Sequence, residues 1–75
     1  MEQKVKNLIL EKLGISERDY NLTSDFRKDW GCDSLDMVEL IMECEREFNL
    51  FIPDDAVEYI RNAQDLLNYI KEHAK

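Results

Sequence analysis

The sequence predicts an all-α fold, a small four-helix bundle with a long loop between helices one and two and a short third helix. Three observations carry that expectation. Apolar residues recur at helical rather than alternating spacing; Gly and Pro, at 2 and 1, are too scarce for a turn-rich β protein; and a hydrophobic share of 44% suits an ordered core rather than disorder. The 75 residues fit one domain, 1–75. A chain of this size buries only ~60% of the surface exposed when unfolded, so a deep, water-excluding catalytic cavity of its own is not expected.

The elements follow in order. Val5, Leu8, Ile9 and Leu13 repeat at helical spacing, and Gly14 stands where a left-handed residue closes a helix. Residues 15–30 carry Ser16, Asn21, Thr23, Ser24 and Asp25 with scattered apolar anchors at Ile15, Tyr20, Leu22 and Phe26, the pattern of a loop tied down by its side chains. Helix two is expected from Asp33-Ser34 to Phe48, with Asn49 ending it and with Asp33 and Asp36 forming a capping box in which Asp replaces Glu. Ile52-Pro53-Asp54-Asp55 opens a short helix three, with Pro in its first turn and acids at the positive end of its dipole, running to Ile60 or Arg61. Asn62 and Asp65 repeat the capping pattern before helix four, whose inner side carries Ala63, Leu66, Leu67, Ile70 and Ala74.

Seventeen acids against ten bases give a net charge of -7. Six acids and six bases in residues 1–32, and three of each in residues 56–75, cancel. The whole excess therefore lies between Asp33 and Asp55, where eight acids face Arg46 alone. Such a face repels nucleic acid and anionic membrane surfaces and attracts basic proteins. No apolar run reaches membrane length and the first residues lack a signal-peptide core, so a cytoplasmic monomer with no membrane insertion is expected. Cys32 and Cys44 match neither a zinc site nor a redox motif and read as buried or half-buried thiols.

Helix two sorts into three stripes at ~100° per residue. Met37, Leu40, Ile41, Cys44 and Phe48 form the core face; Asp36, Glu39, Glu43 and Glu47 form an acidic stripe; Leu35, Val38 and Met42 form a second apolar stripe. Two readings of that second stripe stand open. It is either an exposed docking surface for a basic-rimmed partner or a satellite cluster under the loop of residues 15–30. Trp30 is open in the same way, as a loop anchor or as a contact beside the functional site.

At Gly31-Cys32-Asp33-Ser34-Leu35-Asp36, Asp33 is the better helix cap, which leaves the Ser34 hydroxyl spare in the first turn. A phosphate ester there would meet free backbone N–H groups and the positive dipole end, opposed by Asp33 and Asp36. No His, Lys or Cys is placed to activate Ser34 as a nucleophile, and His73, the only histidine, stands at the far end of the chain. No catalytic residue is assigned and the chain is not expected to be an enzyme. No firm metal site is expected either, although a divalent ion could bridge pairs among Asp33, Asp36, Glu39 and Glu43.

Asp33-Ser34-Leu35-Asp36 followed by Val38-Glu39-Leu40, then Glu47-Phe48, Ile52-Pro53-Asp54 and Leu67 with Tyr69-Ile70, resembles the acyl carrier proteins of the free-standing bacterial type over nearly the whole chain. That resemblance implies a covalent 4′-phosphopantetheine arm, transferred from coenzyme A to Ser34 by a phosphopantetheinyl transferase, with Asp33 beside it in the motif. It further implies thioester carriage of acyl groups to acyl-transferring and chain-elongating enzymes of fatty-acid, polyketide or specialised lipid synthesis. Leu35, Asp36, Val38, Glu39, Met42 and Glu43 would meet the basic docking patches of those enzymes. Departures are Trp30 where Leu is common, Lys28 where an acid is frequent, Cys32 for a plain apolar residue, and the unusually apolar Leu50-Phe51. The alternative is a non-catalytic helical interaction module without a prosthetic group.

Overall fold

The computed structural model describes residues 1–73, and the helical periodicities of the sequence become four helices among them: α1 (Glu2–Leu13), α2 (Ser34–Phe48), α3 (Asp54–Val57) and α4 (Ala63–His73). The all-α expectation is met. Gly14 closes α1 at φ 66° and Asn49 closes α2 at φ 53°, both in the left-handed region that frees the last carbonyls for capping bonds. Asn49 and Leu50 both donate their N–H groups to the Glu45 carbonyl. The Glu45 side chain also accepts the Ile52 N–H at 2.8 Å, which holds the connection to α3 against α2.

One buried cluster joins the elements. Val5 and Ile9 of α1, Met37, Leu40, Ile41 and Cys44 of α2, and Ala63, Leu66, Leu67 and Ile70 of α4 meet with Phe26, Cys32, Ile52 and Ile60 from the connections. Phe48, expected on the core face, is half-buried against this cluster, and Ala74 lies outside the described residues.

The connection from residue 15 to residue 33 is irregular but pinned. Ser16 Oγ donates to Asp19, Asn21 Oδ1 accepts from the Thr23 N–H and hydroxyl, and Asp25 Oδ1 accepts the N–H groups of Arg27 and Lys28. Two backbone bonds fasten it across the bundle: the Phe26 N–H donates to the Arg61 carbonyl at 2.8 Å, and the Gln64 N–H to the Leu22 carbonyl at 3.0 Å. Trp30 is half-buried, with its ring 5.7 Å from Phe26 and 6.1 Å from Tyr20, so it anchors this loop. Leu22, expected as an anchor, is exposed; its carbonyl rather than its side chain holds the segment.

Helix three is shorter than expected. It ends at Val57 rather than near Ile60 or Arg61, and the chain continues in tighter bonds from Tyr59 to Ala56 and from Ile60 to Val57. The tightening turns Ile60 into the core, while the Arg61 carbonyl is claimed by Phe26. Pro53 sits just outside as the N-cap, not within the first turn. At α4, Asn62 Oδ1 accepts the Asp65 N–H at 2.8 Å as expected, but Asp65 reaches back to the Arg61 N–H, one residue earlier than a capping box would have it.

Candidate functional site

The start of α2 is built by a reciprocal capping box. Asp33 Oδ1 accepts the Asp36 N–H at 2.9 Å and Asp36 Oδ2 accepts the Asp33 N–H at 3.1 Å, while the Asp33 carbonyl takes the Met37 N–H. Ser34, the first residue of the helix, is exposed, and its hydroxyl stands outside that network. The chain reaches this point through Gly31 at φ 67°, a left-handed turn that suits glycine, and through Cys32, which is buried. Burial, then the charges of Asp36 and Asp33, push the Cys32 thiol above its ordinary range. Cys44, deeper in the core, is pushed up to about 12, chiefly by burial.

The three stripes of α2 separate in space. Met37, Leu40, Ile41 and Cys44 are buried, whereas Leu35, Val38 and Met42 are 65%, 50% and 54% exposed. The second apolar stripe therefore does not pack under the loop. The loop instead crosses to Arg61 and Gln64, leaving this side of α2 open. Phe51, 74% exposed, adds a further uncovered apolar side chain, and with Val38 and Met42 it lines a concavity between α2 and α3.

The acidic stripe is not uniform. Glu43 lies 3.8 Å from both Lys12 of α1 and Arg46, and Glu47 lies 3.5 Å from Lys4 of α1. Asp36 is held in the capping box. Glu39 is exposed and belongs to none of the ion pairs among the described residues, so it projects the least compensated charge. Among the described residues no group of three or more His, Cys, Asp or Glu is arranged to hold a metal ion. The carboxylates of Asp33 and Asp36, one pair that could bridge a divalent ion, are each hydrogen-bonded to backbone.

Partly or fully exposed ion pairs of this kind contribute little, ~0–1 kcal/mol each, so the unbalanced acids of α2 and α3 are expected to dominate the electrostatics of folding. Added monovalent salt is accordingly expected to raise the thermal midpoint, on the order of a few degrees for a domain of this size. A midpoint that falls with salt would mean that the Lys4 and Lys12 pairs outweigh the repulsion.

A family model described as the phosphopantetheine attachment site matches residues 3–70. The chain belongs to this phosphopantetheine-binding family. Its fold is similar to that of a putative acyl carrier protein from Mycobacterium tuberculosis, with a TM-score of 0.85, 25% sequence identity and 95% of each chain covered. Members of the phosphopantetheine-binding family carry 4′-phosphopantetheine. The site suits such a group: a solvent-facing hydroxyl outside the capping bonds, at a helix start where the amides of Ser34 and Leu35 are not claimed by Asp33. No helix among the described residues is long and apolar enough to cross a membrane.

The helices, the capping box and the exposed serine were legible in the sequence of this phosphopantetheine-binding chain. The pairing of Glu43 and Glu47 with α1 was not, because it joins residues 31 and 43 positions apart, Lys12 with Glu43 and Lys4 with Glu47. Nor does sequence spacing bring together Arg27, Lys28 and Arg61, which line one concavity beside α2. The sequence signal for them is the basic pair Arg27-Lys28 ahead of the motif.

Proposed function

We propose that the chain is an acyl carrier: Ser34 accepts 4′-phosphopantetheine from coenzyme A through a phosphopantetheinyl transferase, and the loaded chain delivers acyl thioesters to separate enzymes of fatty-acid or related polyketide or specialised lipid synthesis. The observation that carries this reading is the free, exposed Ser34 hydroxyl at the first residue of α2, within a chain whose family carries that group. Loading forms a bond from Ser34 Oγ to the pantetheine-side phosphorus of coenzyme A, breaks the pyrophosphate link so that adenosine 3′,5′-bisphosphate leaves, and releases the hydroxyl proton. The arm supplies a terminal thiol on which acyl groups ride as thioesters. The chain's own part is to present Ser34 on a rigid helix end, with Asp33 holding that end in place.

Mass spectrometry after incubation with coenzyme A, magnesium and a transferase tests the assignment. One phosphopantetheine per chain, mapped to Ser34, is expected. No mass gain would favour a plain helical interaction module, and gain at another residue would overturn Ser34.

The same reading assigns partner docking to Leu35, Val38 and Met42 as the apolar contact, rimmed by Asp36, Glu39 and Glu43. Transient delivery favours a small surface of this type, with charge steering the encounter and few contacts delaying release. Because Glu39 is in no ion pair among the described residues while Glu43 is shared between Lys12 and Arg46, Glu39→Lys is expected to slow association with a cognate basic-rimmed enzyme more than Glu43→Gln does. The defect should be about three- to tenfold at low ionic strength and should shrink as salt rises. Equal rates for Glu39→Lys and wild type at low salt would remove this stripe from the docking surface.

A further inference from the structure

Nine Lys and Arg residues occur among the described residues. Lys4, Lys6, Lys12 and Arg46 each pair with a carboxylate, which leaves Arg18, Arg27, Lys28, Arg61 and Lys71 without an ion pair among the described residues. Three of those five, Arg27, Lys28 and Arg61, line one concavity of ≈ 350 Å³. Its apolar wall comes from Phe26, Met37, Val57 and Ile60. Two segments far apart in sequence, the loop before α2 and the turn after α3, contribute the cations to this one lining, and the Phe26-to-Arg61 backbone bond of 2.8 Å fixes those two segments relative to each other.

Two acids share the lining, Asp25 and Glu58. Asp25 is already engaged: its carboxylate accepts the Lys28 and Arg27 amides, and those bonds, with the nearby charges of Lys28 and Arg61, hold it below the ordinary carboxylate range despite opposing desolvation. Three cations against two carboxylates leave a local positive excess on a chain whose net charge is -7. An apolar wall with a cationic rim suits a ligand that is apolar along its length and anionic at its end. Met37 stands three residues, ~4.5 Å of rise, beyond Ser34 on the same helix, so the concavity lies close to the proposed attachment point.

We propose that this concavity selects the cargo: it holds a short acyl chain ending in a carboxylate, with the chain against Phe26, Met37, Val57 and Ile60 and the carboxylate at Arg27, Lys28 and Arg61. The inference rests on the proposed attachment at Ser34. The other anion that could reach these cations is the phosphodiester of the arm itself, which every loaded form shares.

The test compares three loaded forms of the full chain: the unacylated arm, a hexanoyl thioester and an adipyl half-thioester, the last two of equal carbon number and differing by one carboxylate. Thioester cleavage by hydroxylamine is measured relative to the same acyl group on free pantetheine, with NMR shifts of Phe26, Met37 and Ile60 read in parallel. The adipyl form should be protected about threefold or more over the hexanoyl form, the scale of a partly exposed ion pair. That ratio should fall toward one in high salt and in Arg27→Gln/Lys28→Gln/Arg61→Gln, and the single Arg61→Gln variant should move it part of the way. Equal protection of both acyl forms, or a ratio that the variants leave unchanged, would overturn the proposal while the mass of the loaded chain still upholds Ser34. Shifts already complete with the unacylated arm would assign the cations to the phosphodiester and overturn it as well. Failure to load any form would remove Ser34, and the tethered cargo with it.

Discussion

Ser34→Ala is expected to take up no 4′-phosphopantetheine under conditions that load the wild-type chain, and to keep its helices. The expected loss is complete because the substitution removes the only atom on which the proposed ester can form. The expected stability change is small for a reason visible at the start of α2. The cap is made by Asp33, whose side chain holds the Asp36 N–H, and by Asp36, which holds the Asp33 N–H, while the Ser34 hydroxyl stands outside both bonds. Alanine at an exposed helical position is also the better helix former, so the change should stay within about 1 kcal/mol in either direction. Intact mass and far-ultraviolet circular dichroism check the two halves separately. Residual loading of the variant would move the attachment site, and a lost helical signal would mean that Ser34 has a structural duty the hydrogen bonds do not reveal.

Phe26→Ala should be the most damaging single truncation outside the regular helices. Phe26 is 1% exposed, packs its ring 5.7 Å from Trp30, donates its N–H to Arg61 and accepts from the Cys32 N–H at 3.0 Å. It therefore ties the loop before α2, the turn after α3 and the core together. Truncating a buried aromatic of this kind costs about 3–5 kcal/mol, a large share of the ~5–15 kcal/mol by which small domains are stable. Denaturant unfolding should show the midpoint falling accordingly, with the Trp30 emission shifting to the red as its neighbour is lost. A cost below about 1 kcal/mol would mean that the loop collapses onto the vacated space, and that the anchoring resides in the backbone bonds alone.

The two substitutions divide the molecule in a way that bears on function. The proposed attachment point depends on local geometry at one helix end, and removing its hydroxyl leaves the fold alone. The proposed cargo site depends on Phe26 and Arg61 being brought together across 35 positions of sequence, and it is lost with the packing that joins them.

That division marks where the sequence was sufficient. Helix positions, the Gly14 and Asn49 terminations, the capping box of Asp33 and Asp36, the core face of α2 and the spare hydroxyl of Ser34 all follow from interactions between residues a few positions apart, for which spacing is a direct record of geometry. The limits of α3 were less legible, because whether its last turn stays α-helical or tightens depends on where Ile60 must be buried and on the loop that claims the Arg61 carbonyl. Only the tertiary structure decided that Leu35, Val38 and Met42 face solvent, that Lys12 and Lys4 of α1 offset Glu43 and Glu47 while Glu39 has no ion pair among the described residues, and that Arg27, Lys28 and Arg61 share one concavity. The periodicity of α2 assigns each residue to a stripe but cannot say which stripe a distant segment will cover. That outcome is set by the path of the chain between helices, where burial and a few long-range hydrogen bonds outweigh any local preference.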